Sequence, residues 1–355
     1  MKRRTLLSTT LAAAPAALLG QSATDSGKIK YLQIGTGHAH ANKIQQYADS
    51  DQWEVVGIVE ENEELRQKAK NDKVFGKFPL LSMEAGMNTP GLKVVGIETE
   101  IRDLLKNAEM AIDAGYHVHL DKPAGADLDH YERILKKADQ QNLVVQMGYM
   151  YRFSPAVQLL HRILDAGWLG EIFETHAVMS KVLPQNSREY LDEFEGGIMF
   201  ELGCHIVDLT LGVLGAPDKV VAYPKRVIDS PDDTLIDNML AVFEYPKATA
   251  TVRSSGVEVE GFARRQFTVC GTGGTIHIQP LDRPKMKISL AREHSFEGES
   301  KVYKKGHTEI DFGPYTRYAG DIEDLAKIVK GQKENPYPSS HDLAIQKAVL
   351  AASGL

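Results

Sequence analysis

The sequence predicts an α/β protein in two parts: an N-terminal Rossmann-type, doubly wound parallel sheet, then a C-terminal open, mainly antiparallel sheet domain. Three observations carry this. Short apolar runs alternate with helical stretches from Lys28 to about residue 150. A glycine-rich turn, Gly35-Thr36-Gly37, follows the first of those runs. Beyond residue 150 the runs become longer and richer in Val, Ile, Thr and Phe. Strand–helix alternation gives a parallel sheet with helices on both faces, whereas consecutive β-runs separated by turns give antiparallel pairing.

In order, residues 31–34 read as a strand, 39–48 as a helix, 53–59 as a strand and 61–70 as a helix, and a third strand is expected at 94–98. The amphipathic stretch 104–114 is a helix that stops at Gly115, the residue type that closes a helix C-terminus. A strand at 117–120, a helix at 128–141 and a strand at 144–148 complete the first unit. Residues 156–166 are helical. Strands then follow at 172–182, 219–228, 235–244, 248–256, 265–270, 275–279 and 286–290, with Pro246 and 271–274 among the turns. Helices at 318–330 and 341–352 close the chain, joined by the polar stretch 331–338.

The chain has 355 residues, enough for about two domains. Its net charge of −7 with dispersed basic residues argues against nucleic acid or an anionic membrane as partner. Cys204 and Cys270 make no disulfide framework and read as two small buried hydrophobes. Lys2-Arg3-Arg4, an apolar stretch at 6–19 and small or polar residues at 20–23 have the layout of a secretory signal. The apolar stretch is too short for a stable membrane span, and no cysteine follows Leu19-Gly20 to take a lipid anchor. Arg3-Arg4 before Thr5-Leu6-Leu7 resembles a twin-arginine signal, so export to the periplasm in folded form is expected. The expected division is a signal at 1–23, a nucleotide domain at 24–150, a sheet domain at 151–335 and a C-terminal helix at 336–355.

Gly35-Thr36-Gly37-His38-Ala39-His40-Ala41 ends a strand and opens a helix, the place where backbone can approach a pyrophosphate. His40 stands where such turns carry a third glycine. Glu60 ends the second strand, 25 residues after Gly35, where a carboxylate grips the adenosine ribose and repels a 2′-phosphate. NAD is therefore expected over NADP. Asp121-Lys122-Pro123 ends another strand, at the sheet edge where ligands bind, although a lone loop lysine is more often a surface residue. In Glu201-Leu202-Gly203-Cys204-His205-Ile206-Val207-Asp208, a helix would put Glu201, His205 and Asp208 on one face. A histidine between carboxylates serves as a general base, as a metal ligand or as a satisfied structural residue. Zinc lacks an evident third ligand there, so no metal is expected. His38/His40 and His117/His119 form two His-x-His pairs, read as packing and hydrogen bonding.

Together these motifs resemble the Gfo/Idh/MocA oxidoreductases, the glucose–fructose oxidoreductase and inositol dehydrogenase family, over nearly the whole chain after the signal. Asp121-Lys122-Pro123 stands for the family's Glu-Lys-Pro, and Glu201-x-Gly203-x-His205-x-x-Asp208 for its Asp-x-Gly-x-His-x-x-Asp. Tyr149-Met150-Tyr151-Arg152-Phe153 resembles the segment linking the domains near the substrate, and 271–275 a later sheet turn. The resemblance implies Lys122 and His205 as proton-transfer residues with Glu201 as partner. It implies Gly35, Gly37, His38, Ala39, Glu60, Thr99, Asp121 and Lys122 at the cofactor, and Tyr149, Tyr151, Arg152 and Asp208 near the substrate. Two departures stand out: Glu201 is one methylene longer than the family's Asp, and Thr99-Glu100 replaces Thr-Pro. The implied activity is hydride transfer between a nicotinamide and a hydroxyl-bearing carbon of a sugar, glycoside or cyclic polyol, in a dimer or tetramer built through the C-terminal sheet. Export away from cellular NAD pools favours a tightly bound cofactor and a redox-neutral cycle. The alternatives are a glycoside-cleaving enzyme that oxidises, eliminates, adds water and reduces, and a carbohydrate-binding relative without activity.

Overall fold

The computed structural model describes residues 27–228 and 230–355, so the expected signal at 1–23 lies outside the described residues. The first domain runs β1 (Ile29–Ile34), α1 (Ile44–Asp49), β2 (Trp53–Val59), α2 (Glu63–Asn71), β3 (Leu80–Leu81), α3 (Met83–Met87), β4 (Leu92–Ile97), α4 (Leu104–Asp113), β5 (His117–Leu120), α5 (Leu128–Gln140) and β6 (Val145–Met147). Its six strands lie in the order β3-β2-β1-β4-β5-β6, and every pair is parallel. The order reverses between β1 and β4, which opens a crevice at their carboxyl ends. The glycine turn leaves β1 there. Gly35 has φ of +91°, and a Cβ on it would lie 2.5 Å from the Thr99 nitrogen, so no larger residue fits between the ends of β1 and β4.

The second domain follows as α6 (Pro155–Asp165), β7 (Ile172–Ser180), α7 (Gln185–Leu191), α8 (Cys204–Leu214), β8 (Lys219–Lys225), β9 (Asn238–Glu244), β10 (Thr249–Ser255), α9 (Gly261–Arg264), β11 (Gln266–Gly271), β12 (Gly274–Ile278), β13 (Lys285–Leu290), β14 (His294–Ser295), β15 (Val302–Tyr303) and β16 (Gly306–Asp311). Its eight-stranded sheet has the order β16-β13-β12-β11-β7-β10-β9-β8 and is antiparallel except where β10 pairs with β7. Alternation along β9 and β13 turns one face to the core and leaves the other half-exposed or exposed. Several short or polar elements escape the periodic signal. β3 is only two residues long, and β16, Gly-His-Thr-Glu-Ile-Asp, is a polar edge strand without apolar alternation.

α10 (Ala319–Val329) and α11 (Ser339–Ser353) end the chain. α10 returns to the first domain: Ile322, Leu325 and Ala326 pack with Tyr31, Tyr47 and Trp53 in one cluster, and the Trp53 indole N–H donates to the Ile322 carbonyl at 3.3 Å. By packing, residues 319–329 therefore belong with the nucleotide domain, although the expected boundaries place them in the sheet domain. α11 packs on α5 of one domain and on α8 and β8 of the other. Its Gln346 side chain accepts from the Ala124 N–H at 3.3 Å and donates to the Gly125 carbonyl at 2.6 Å, which holds the loop after Lys122 in place.

Candidate functional site

Three strands of the parallel sheet end in carboxylates: Glu60 after β2, Glu98 after β4 and Asp121 after β5. Each does something different. Glu60 fixes the glycine turn. Its Oε2 accepts from the Thr36 N–H at 2.7 Å and the Thr36 hydroxyl at 2.8 Å, and its Oε1 accepts from the Asn62 N–H at 3.0 Å. Glu60, Gly35 and Thr99 line a cleft of about 210 Å³ together with Glu100 and Asn107. A second cleft, of about 270 Å³, begins at Gly37, His38 and Ala39 and runs to Lys181, Tyr190 and Glu201 of the other domain. Both clefts touch the glycine turn, so a dinucleotide lying across it would fill one with each half.

At the inner end of the second cleft, the Lys122 ammonium donates to Glu201 twice, to Oε1 at 3.0 Å and to the carbonyl at 2.9 Å. Glu201 lies in a single π turn, Met199–Gly203, that leads into α8, and His205 is in the first turn of that helix. Burial alone would pull the Lys122 pKa down; the Glu201 charge outweighs it and holds the side chain as an ammonium. Burial alone would push Glu201 up, but Lys122 and Lys181, the latter at 3.7 Å, hold it well below the usual carboxylate range. For His205, burial and the charge of Lys122 act together and drive the pKa well below 6.5. The imidazole is neutral. Its Nδ1 is buried and has no hydrogen-bond partner among the described residues. Tyr151 and Tyr149 stand edge-on behind it, with ring centroids at 5.2 Å and 6.1 Å. A charged donor and a neutral acceptor side by side can polarise a hydroxyl oxygen and take its proton.

Behind the turn lies a sealed charge cluster that the sequence only partly shows. Lys43, 1% exposed, contacts Asp121 Oδ2 at 2.6 Å, Glu98 Oε1 at 3.0 Å and His119 Nε2 at 2.9 Å. His40 Nδ1 is 3.2 Å from Asp121 Oδ1, and His38 Nε2 is 3.0 Å from the Lys122 carbonyl. Burial lowers the pKa of His38, and lowers those of His40 and His119 to about 3. Donor atoms of His38, His40 and Asp121 gather within 4.8 Å, but the Lys43 ammonium already occupies the cation position beside Asp121. His117 faces elsewhere, accepting the Val144 N–H at 3.0 Å.

Several expected roles shift. Asp121 is fully buried and turned inward, onto Lys43, His40 and its own neighbour's N–H at 2.7 Å, rather than toward a cofactor. Arg152 and Asp208 face each other, with a contact of 2.7 Å, and Arg152 also binds Asp342 at 2.6 Å. Arg152 is thus paired with two buried carboxylates, so these charges are spent on one another rather than on a substrate. The Tyr151 hydroxyl donates to Asp282 at 2.7 Å, so this residue offers the site its ring rather than its oxygen. Cys204 is buried, Cys270 half-buried, and both thiols are free, with burial pushing Cys204 up to about 12. Lys43, Glu98, Lys181 and Tyr190 are additions to the expected set. A carboxylate closing each of three strands of the parallel sheet was the available signal for Glu98.

No helix of the described residues is long and apolar enough to cross a membrane. The family model for the oxidoreductase family with an NAD-binding Rossmann fold matches residues 29–149, and that for the GFO/IDH/MocA C-terminal domain matches 157–277. Among curated relatives, the D-xylose 1-dehydrogenase (NADP(+)) 2 of Haloferax volcanii is 27% identical over 223 residues, 62% of this chain and 64% of that protein. The scyllo-inositol 2-dehydrogenase (NAD(+)) of Bacillus subtilis is 26% identical over 216 residues, 59% of this chain and 62% of that one. The chain thus spans less than two thirds of either relative's length. The solved UDP-N-acetylglucosamine 3-dehydrogenase of Acidithiobacillus ferrooxidans superposes with a TM-score of 0.74 at 21% identity, covering 92% of this chain and 97% of the other. With both domains matched in sequence order and the fold shared, the chain belongs to the Gfo/Idh/MocA oxidoreductase family.

Proposed function

We propose that the protein is an exported NAD(P)-dependent oxidoreductase that moves a hydride to or from a hydroxyl-bearing carbon of a sugar, glycoside or cyclic polyol. The observation that carries this is the meeting of Lys122, Glu201 and neutral His205 at the end of a cleft that starts on the glycine turn. The glycine turn at Gly35 and the Glu60 carboxylate line one cleft, and together they fit a dinucleotide. When bound, the nicotinamide supplies the hydride acceptor. Lys122 then orients and polarises the substrate oxygen, and Glu201 keeps Lys122 charged. His205 receives the hydroxyl proton, and because burial and nearby Lys122 disfavour the charged imidazole, it gives the proton up to water when the product leaves. Glu60 favours NAD, because a 2′-phosphate would meet its charge.

The basic and apolar start of the chain supports export by the twin-arginine route, with the dinucleotide loaded beforehand and retained through a redox-neutral cycle. The half-exposed face of the eight-stranded sheet, where Phe173 and Tyr223 are 47% and 50% exposed, is the surface through which copies would associate. Protein lacking residues 1–23, expressed in the cytoplasm, desalted and denatured, should release close to one nucleotide per chain. It should then act on members of a sugar and cyclic-polyol panel. Empty protein that consumes added NAD in proportion to product removes the retained-cofactor reading. Glycoside cleavage with no net change in the nucleotide would favour the oxidation–elimination–addition–reduction cycle instead.

A further inference from the structure

We propose that α7 and the turn after β4 form a clasp across the dinucleotide groove, and that it sets how fast the nucleotide enters and leaves. The Tyr190 hydroxyl accepts from the Ile101 N–H at 2.9 Å. Next to it, Arg102 pairs with Glu193 at 3.0 Å and with Glu100 at 3.4 Å. The Ile101–Tyr190 and Arg102–Glu193 contacts join the two domains at one place. Glu100 lines the cleft that holds Glu60, whereas Ile101 and Tyr190 line the cleft that leads to Lys122. The bridge therefore spans the groove between its halves. α7 is firmly mounted on its own domain, because buried Arg188 binds Asp233 at 2.5 Å and Asp237 at 2.9 Å. A ligand cannot pass the bridge while Tyr190 holds Ile101, so the bridge must break for entry as well as for exit.

The inference rests on reading the groove as a dinucleotide site, and its test needs no substrate. NADH entry and release are followed by stopped-flow fluorescence in the full-length fold. Tyr190→Phe should speed both by about fivefold, the factor one hydrogen bond supplies, and leave Kd nearly unchanged. Arg102→Glu should speed both by about twofold at low salt, with the difference fading as salt screens the exposed pair. Adding Glu193→Arg to that variant should restore the slow rates. Faster release with unchanged entry would make Tyr190 a plain contact and overturn the clasp, as would rates that do not move at all. Wild-type protein freed of any retained nucleotide that still takes up no NADH overturns the dinucleotide reading itself, and the clasp with it.

Discussion

Lys43 and Arg152 are each buried between two carboxylates, Lys43 with Asp121 at 2.6 Å and Glu98 at 3.0 Å, Arg152 with Asp342 at 2.6 Å and Asp208 at 2.7 Å. The compositions match and the surroundings do not. Arg152 ties together three distant segments: its own turn after β6, α8 and α11. Its guanidinium also stacks 3.9 Å from the centroid of the Tyr337 ring. Its charges are closed upon themselves, as in a pin through the two domains. Lys43 sits under the glycine turn among neutral histidines, and His40 stands between it and the site, 5.8 Å ring to ring from His205. A cation there compensates the carboxylates that end β4 and β5 and leaves the histidines uncharged. A buried ion cluster is thus defined by what it adjoins, and only the one at the strand ends adjoins the proposed proton-transfer pair.

The most severe test separates chemistry from stability. Lys122→Ala and His205→Ala should each lower turnover about 10²–10⁴-fold on the best substrate of the panel, while NADH still binds. Near-normal turnover in both would leave the Lys43 side of the molecule with no more claim to function than the Arg152 side. Arg152→Ala should do the opposite. It strands two buried carboxylates and should cost about 3–5 kcal/mol of stability, read from urea unfolding, with NADH affinity little changed in the folded protein. An Arg152→Ala protein as stable as wild type would break the pin reading.

A third test uses pH. Burial pushes Asp321, near Lys43, up to about 7, and neither of its buried carboxylate oxygens has a side-chain hydrogen-bond partner among the described residues. The folded pKa is above the unfolded one, so the contribution is fully present below about 4 and is lost as pH rises through about 7. Asp321→Asn should remove that slope, up to about 1.4 kcal/mol per pH unit, and be the more stable protein at pH 8. Parallel curves for the two proteins between pH 4 and 8 would show that Lys43 already holds Asp321 ionised. The smallest effect concerns the cofactor alone. Glu60→Ala should shift the ratio of NADP to NAD affinity toward NADP by about tenfold, measured by titration, without touching either ion cluster.

Much of the fold was legible because periodicity is a local signal. The strands at 53–59 and 117–120 fall where alternation and length put them, and Gly115, with φ of +84°, ends its helix as expected. What local pattern misses is partner choice. Nothing in the Ala319–Val329 sequence says that it covers β1 and β2 rather than the sheet just before it. The site divides along the same line. Lys122 and Glu201 are 79 residues apart, and their motifs suggest that they meet, as they do. Arg152 and Asp208 carry equally suggestive motifs, but whether a buried charge is answered by protein or left for a ligand depends on Asp342, which is 190 residues from Arg152 and has no motif of its own.

The return of α10 to the first domain has a consequence for how the chain must be made. The aromatic face formed by Tyr31, Tyr47 and Trp53 is finished by residues that leave the ribosome about 270 positions after Trp53. The nucleotide domain cannot seal before almost the whole polypeptide has been synthesised, and a nascent chain stalled anywhere in between displays an unfinished sheet to its surroundings. Cutting the gene at the domain junction would free one domain in name only. The fragment ending near residue 150 would carry the glycine turn and Glu60 but lack a wall, and it would be prone to aggregate.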